Sequence, residues 1–426
     1  MSKRTRNIVI AALSAVALLL VAAVVIGRVT VATGMPAIDK MVAEGEMPGA
    51  VRALKSQYHF DNPAGMAALH NFSLTVLRQA LNQSDPFERC YVATALAAYG
   101  DWSGRAAIDK ALTSSNFLVQ KAAVEGLATV GSPEAIDILT RFYHGSGQDG
   151  RLMAVQGLAQ VKTPAVLPIL IEAAKDPHAN LTVWSVNGMG HLGDPKALPY
   201  LTSLLDKSPD PMVRTETAHS MILLGDHNDK LVALIVKGLD TNDIQQASEA
   251  AIDLGDAQDK SVVPVLIKTY KDEKVNPRVR LAAAVALTHY GNNEGMQLLK
   301  TALVDRTYGK YLPSMLDHVD FTVGRPLLIG ALASSDQVMR LAAIEAIGRA
   351  GGDNEVELLK KASVNTQDPI EIAQIAWSLG RIGRRKCIPV LLDMVQNPDP
   401  EVRDTAADSL GHAAGQIRSR ESASPR

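Results

Sequence analysis

Two cysteines in 426 residues, Cys90 and Cys387, supply no disulfide framework and no cysteine-rich metal motif. They fall near opposite ends of the patterned part of the chain, and a bridge needs Cα atoms within roughly 7 Å. Both read as small buried hydrophobes. Aromatic residues make up only 4%, too few for a core built on large rings. A dominant charge of one sign is missing too: the formal net charge is −2, whereas a nucleic-acid surface is ordinarily strongly basic. None of H-E-x-x-H, G-x-S-x-G or a Walker-type loop occurs, and there is no His-Glu dipeptide. The ten histidines are scattered. No catalytic, cofactor-binding or metal-binding set is visible by spacing, and no cofactor is expected. Gly188-Met189-Gly190-His191-Leu192-Gly193 matches G-x-G-x-x-G, but it closes a helix instead of opening one after a strand, so it reads as a helix exit.

What is present is a repeated pattern, clearest over Asp368–Leu410. Ile372, Ile375, Ala376 and Leu379 stand at i, i+3, i+4 and i+7, one stripe of a helix. Gly380 and Gly383 end it. Ile388, Leu391, Leu392 and Val395 repeat the spacing, with Pro389 near the helix start where a missing N–H is harmless. Asn397-Pro398-Asp399-Pro400 then turns, and Glu401-Val402-Arg403 begins the first pattern again.

Three markers carry this unit along the chain. A proline early in the second helix recurs at Pro168, Pro199, Pro264 and Pro389, the first two 31 residues apart. A glycine exit from the first helix recurs at Gly131, Gly193, Gly225, Gly255, Gly291 and Gly383. The start of the first helix recurs as Val213-Arg214, Val279-Arg280 and Val402-Arg403. Ala282, Ala283, Ala284, Ala286, Ala342, Ala343 and Ala346 crowd the first helices, where small residues let helices approach closely. The expected fold is all-α, a solenoid of about ten stacked helical hairpins. A single hairpin cannot enclose its apolar face, and stacking completes the core.

The motif D-P-x-x-V-R-x-x-A-A-x-A-L-G, a turn, then A-x-P-x-L resembles the HEAT repeat, and within it the short bacterial variety named after phycobilisome lyases. The resemblance covers about Ser84 to Ala414. It implies a right-handed α-α superhelix whose concave face grips a protein partner. Bilin lyases share the scaffold, yet none of their catalytic residues maps onto this chain. The lack of His-Glu dipeptides removes the di-iron ligands of HEAT-like hydroxylases.

Outside the repeats, Lys3, Arg4 and Arg6 form a basic head over 1–7. Ile8–Ile26 follows without a charge, long enough as a helix to approach the ~30 Å hydrocarbon core. This reads as an uncleaved membrane helix over 8–27, with the head cytoplasmic and the repeats extracytoplasmic, periplasmic in a bacterium. The alternative is a signal peptide cleaved near Thr30-Val31-Ala32, giving a secreted protein; its apolar region is ordinarily shorter. Residues 28–63, broken by Gly34, Pro36, Pro48, Gly49 and Pro63, read as a juxtamembrane stalk with one helix around Ile38–Glu44. Residues 64–415 read as the solenoid, with 64–81 a lone helix capping its N-terminal end. Residues 416–426 read as a disordered tail.

The functional expectation is a non-catalytic, membrane-tethered scaffold for a protein partner. Alternatives are a bilin-lyase-like enzyme or its accessory subunit, and a structural spacer in the cell envelope. Four residues beyond the proline slot of successive second helices stand Arg141, Glu172, Ser203, Lys237, Lys268, Thr301, Lys361 and Asp393, of which Arg141, Lys237, Lys268 and Lys361 are the basic candidates. They form either a basic partner-binding groove or an ordinary solvated face. Residues 304–332 break the pattern, and Tyr308, Tyr311 and Phe321 there are either an aromatic anchor or the filling of a degenerate repeat. Asn71, Asn82 and Asn180 open N-x-S/T triplets of little weight.

Overall fold

The computed structural model describes residues 35–423, and every regular element among them is helical. They divide into two compact units: the described residues up to Asn82 together with those from Gly351 onward, and Gln83–Ala350. The first unit begins with α1 (35–43), α2 (Met47–Gln57) and α3 (Pro63–Ala80).

The second unit is a run of hairpins: α4 (Pro86–Ala98) with α5 (Arg105–Leu112), α6 (Phe117–Val130) with α7 (Pro133–Gly145), and α8 (Gln148–Gln160) with α9 (Leu167–Ala173). Next come α10 (Ala179–Leu192) with α11 (Leu198–Lys207), α12 (Pro211–Leu223) with α13 (Asp229–Gly238), α14 (Ile244–Asp256) with α15 (Val263–Lys271), and α16 (Pro277–His289) with α17 (Met296–Ala302). The unit ends with α18 (Arg306–Gly309), a 3₁₀ segment Pro313–His318, α19 (Phe321–Leu332) and α20 (Gln337–Ala350). The first unit is completed by α21 (Asp353–Asn365), α22 (Pro369–Ile382), α23 (Cys387–Met394) and α24 (Pro400–Ala423).

Local chemistry sets the helix ends. Asp85, Asp210 and Asp368 are N-caps followed by Pro, and the Asp210 carboxylate accepts from the Met212 N–H at 2.8 Å. Such a cap is worth about 1 kcal/mol. Gly193 and Gly383 leave their helices in the left-handed region, at φ 72° and 56°. Gly255 departs from its expected role. It lies inside α14 against Ala286 of α16, and the left-handed residue beyond that helix is Gln258, at φ 54°.

In the second unit the first helices of the hairpins pack directly on one another, α4 on α6, α6 on α8, α8 on α10, α10 on α12, and α14 on α16. Small residues permit it: a Cβ at Gly157 would fall 2.5 Å from Val124. The second helices pack onto this layer and hardly meet each other. The seam between α12 and α14 is the thin place in the close layer, with α13 packed on both helices beside it. The core is aliphatic, and Ala282, Ala283, Ala284 and Ala286 are all buried.

From residue 35 onward, the segment read as a stalk is mostly packed helix. Met47, Ala50, Val51 and Leu54 form a buried stripe of α2, and Ile38 and Val42 a buried stripe of α1. Pro48 breaks nothing because it stands in the first turn of α2, where its missing N–H has no partner to lose. The tail is also helical as far as Ala423: Ile417 is buried, and Arg420 donates to the Gly383 carbonyl at 2.8 Å. Helix α3, expected against the first hairpin, lies along α24, which in turn lies along α22. Lys55 of α2 pairs with Asp393 of α23 at 3.0 Å, and Arg385 donates to the carbonyls of Phe60 and Asp61. The break at 304–332 is a degenerate hairpin. Its first helix is reduced to α18 and the 3₁₀ segment, which packs between α16 and α20.

No described helix is long and apolar enough to cross a membrane. The basic head 1–7 and the membrane helix expected over 8–27 lie outside the described residues.

Cys90 and Cys387 are free and buried, and burial pushes their thiols up to about 12 and about 11. The thiolate is the reactive form, so at pH 8 the folded chain is expected to resist iodoacetamide and the urea-unfolded chain to take two labels. Rapid native labelling, read by intact mass, would contradict this packing.

Candidate functional site

The titratable residues that meet in the second unit come from neighbouring first helices. Glu216 and His219 lie three apart on α12, and Asp253 and Asp256 three apart on α14, so each pair shares a helix face. Stacking brings the two faces together. His219 Nδ1 lies 3.3 Å from Asp253 Oδ1 and 3.7 Å from Glu216 Oε1, while its Nε2 lies 3.6 Å from Asp256 Oδ2. Glu216, His219 and Asp253 are only 9%, 3% and 8% exposed. Asn187 of α10 donates to Glu216 Oε1 at 3.0 Å and holds that carboxylate in place. On the open side, His289 Nδ1 of α16 approaches Asp256 Oδ1 at 3.6 Å, and the His191 ring of α10 stands edge-on to His219 at 6.2 Å.

The electrostatics follow from burial. Loss of water raises the Asp253 carboxyl to about 8, against the pull of the His219 imidazole. Burial opposes charge on His219, but Asp253, Asp256 and Glu216 outweigh it and hold the imidazole well above its ordinary value. Burial also acts to raise Asp256, yet His219, His289 and His318 outweigh it and leave that carboxyl low. Neither ring nitrogen of His219 makes a hydrogen bond of proper geometry despite these neighbours. Glu216, His219 and Asp253 each direct one donor atom inward, all within 4.8 Å of one another, an arrangement able to hold a metal ion.

Spacing along the chain hid this cluster, which the sequence pattern did not bring together. E-x-x-H and D-x-x-D are unremarked alone. Aligned by their N-caps, Asp256, His191 and His289 occupy the same position of their first helices, while Glu216 and His219 stand one turn earlier on α12 than Asp253 and Asp256 do on α14.

The residues expected to form a basic groove stand on second helices, as their spacing requires. Arg141 on α7, Lys237 on α13 and Lys268 on α15 are exposed on the open layer of second helices, and Arg141 is paired with Asp137 at 2.8 Å. Lys361 is exposed on α21, in the first unit. Tyr308 is engaged within the unit: its hydroxyl accepts from Arg280 at 2.7 Å, and that guanidinium lies 5.7 Å from the ring centre. Tyr311 and Phe321 are half-buried. An edge of the close layer carries the exposed apolar side chains. Phe87, Phe117 and Leu118, at the starts of α4 and α6, are 46%, 60% and 62% exposed, and Ile244 and Val338 are also exposed at the starts of α14 and α20.

A family model described as HEAT repeats matches residues 74–149, 144–222, 231–311 and 356–425, well over half of the chain. No curated protein matches it. Among solved structures, the complex of CpcE and CpcF of phycocyanin lyase from Nostoc sp. PCC7120 is similar at 19% identity, over 58% of this chain and 93% of that one, with a TM-score of 0.37. Human deoxyhypusine hydroxylase is similar at 17% identity over 66% and 96%, with a TM-score of 0.27. Importin beta is similar at 14% identity over 88% and 63%, with a TM-score of 0.35.

Proposed function

The chain belongs to the HEAT-repeat family, and on that premise we propose that it is a scaffold that holds a protein partner. The partner lies along the edge where the first helices begin. Ile8–Ile26 tethers the scaffold to a membrane, with the repeats on the extracytoplasmic side. One observation carries the reading: Phe87, Phe117 and Leu118 are large, apolar and exposed at the same register of adjacent hairpins. Solvent gives no reason to present such side chains together, and contiguous apolar surface on a folded protein marks an interaction site. The uncharged run behind a basic head supports the tether.

The reading is tested by crosslinking from intact membranes with a membrane-impermeant reagent and the full-length chain as bait. A recurrent partner is expected. Replacing Phe87, Phe117 and Leu118 together by Ser is expected to cut its recovery at least about tenfold, since each fully buried side chain of this size contributes ~1.5–3 kcal/mol. Lys237→Glu with Lys268→Glu, on the open layer, is expected to change recovery less than about twofold, the scale of exposed charges. Recovery untouched by the triple substitution, or lost with the lysine pair, would contradict the proposed edge.

A further inference from the structure

We propose that Glu216, His219 and Asp253 bind one divalent transition-metal ion, of the zinc or manganese class, between α12 and α14. The site stands apart from the partner edge and does not depend on it.

Three features of the geometry lead there. The first is convergence. The donor atoms facing His219 Nδ1 are 3.3 and 3.7 Å away, and donors about 2.0–2.1 Å from a shared tetrahedral zinc stand about 3.3–3.4 Å apart. The second is the unmet demand of the histidine. It is buried at 3% exposure, and neither ring nitrogen has a hydrogen bond, a state buried polar groups rarely keep. A proton on Nδ1 needs a straight N–H···O path to one acceptor. A metal needs only donor atoms gathered around one point, and these three lie within 4.8 Å of one another. The third is the surrounding support. Asp256 Oδ2 faces the other ring nitrogen at 3.6 Å, and Asn187 fixes Glu216. Closed to hydrogen-bond distance, Asp256 would complete the carboxylate–histidine–metal arrangement that sets tautomer and ring orientation in metal sites. Three protein donors leave a fourth position for water. A mixed imidazole and carboxylate set suits zinc or manganese and not a soft thiolate-seeking ion. His191 and Asp256, on the open side, offer a way in.

The ion would have a structural effect. The α12–α14 seam is the sparse one in the close layer, and a cation held from both helices ties it shut.

The test uses the full-length chain in detergent, stripped with chelator, dialysed against zinc and assayed by elemental analysis. One zinc per chain is expected, with a rise in Tm on zinc addition, as for any ligand that binds only the folded state. Asp253→Asn and Glu216→Gln are expected to abolish both effects. Asp256→Asn is expected to weaken binding by about 10–100-fold, the usual cost of losing an outer partner. Zinc failing to bind the wild-type chain, or binding undiminished to Asp253→Asn and Glu216→Gln, would overturn the proposal. Should those variants misfold, X-ray absorption of the cobalt-loaded wild type decides. One nitrogen with oxygen donors supports the site. Two or more imidazoles, drawn from His191, His289 or His318, refute it.

Discussion

Gly190→Val is expected to destabilise the second unit by about 3 kcal/mol or more, at the upper end of overpacking effects. A Cβ at Gly190 would fall 2.7 Å from Ser220 Oγ and 2.8 Å from Ser220 Cα. The hydroxyl could turn aside only by abandoning its hydrogen bond to the Val186 carbonyl at 2.9 Å, which is buried. The Cα belongs to the α12 backbone and cannot turn at all, so α10 and α12 must move apart. Gly190→Ala provides the sign test. In an exposed helix that exchange gains about 1 kcal/mol; at this contact it is expected to lose stability. Urea unfolding followed by circular dichroism reads both. A Val variant within about 0.5 kcal/mol of wild type, the range of ordinary surface substitutions, would show that the close layer is looser than described.

The second large effect is at His219. Replacing it by Leu leaves Glu216 and Asp253 buried, with Asp256 beside them, and without the imidazole that faces all three. Removing one partner from a buried charged group costs about 3–5 kcal/mol. The comparison that gives this meaning is the double variant His219→Leu, Asp253→Leu. If the cost comes from a buried carboxyl left without its partner and not from lost volume, the second substitution is expected to restore part of the stability. Chelator-treated protein at neutral pH is the proper sample, since it separates the charge balance from any bound ion. A His219→Leu protein as stable as the parent would mean that these carboxylates reach water freely.

The fold was readable because its rules are local. Asp-Pro starts, the exits at Gly193 and Gly383 and the alanines of α16 each state their role within a few residues. Errors arose where a local rule was given the wrong position. Pro48 and Gly49 were read as breakers, although the first turn of α2 accommodates both. The serines after Gln416 suggested disorder, but Ile417 and Arg420 still had neighbours to meet on α22 and at its exit. The Glu216–His219–Asp253 cluster fails to appear for a different reason. Its halves sit on separate helices, and only the stacking of α12 beside α14 makes them one site. The basic ladder was legible as a periodicity: Arg141, Lys237, Lys268 and Lys361 are all exposed on second helices.

The pairing of α3 with α24 bears on how the molecule comes into being. The first unit draws on both ends of the polypeptide, with the whole of Gln83–Ala350 between them. Most contacts in a repeat array join near neighbours in sequence, which favours fast assembly. This one carries the entropy of closing a very long loop. As the chain is synthesised, α1–α3 emerge early and their apolar stripes, among them Ile38, Leu54 and Phe72, have to wait for the last helix to be made. The second unit has every partner it needs as soon as α20 is complete. The expected order of assembly therefore has Gln83–Ala350 folding before α1–α3 pair with α24.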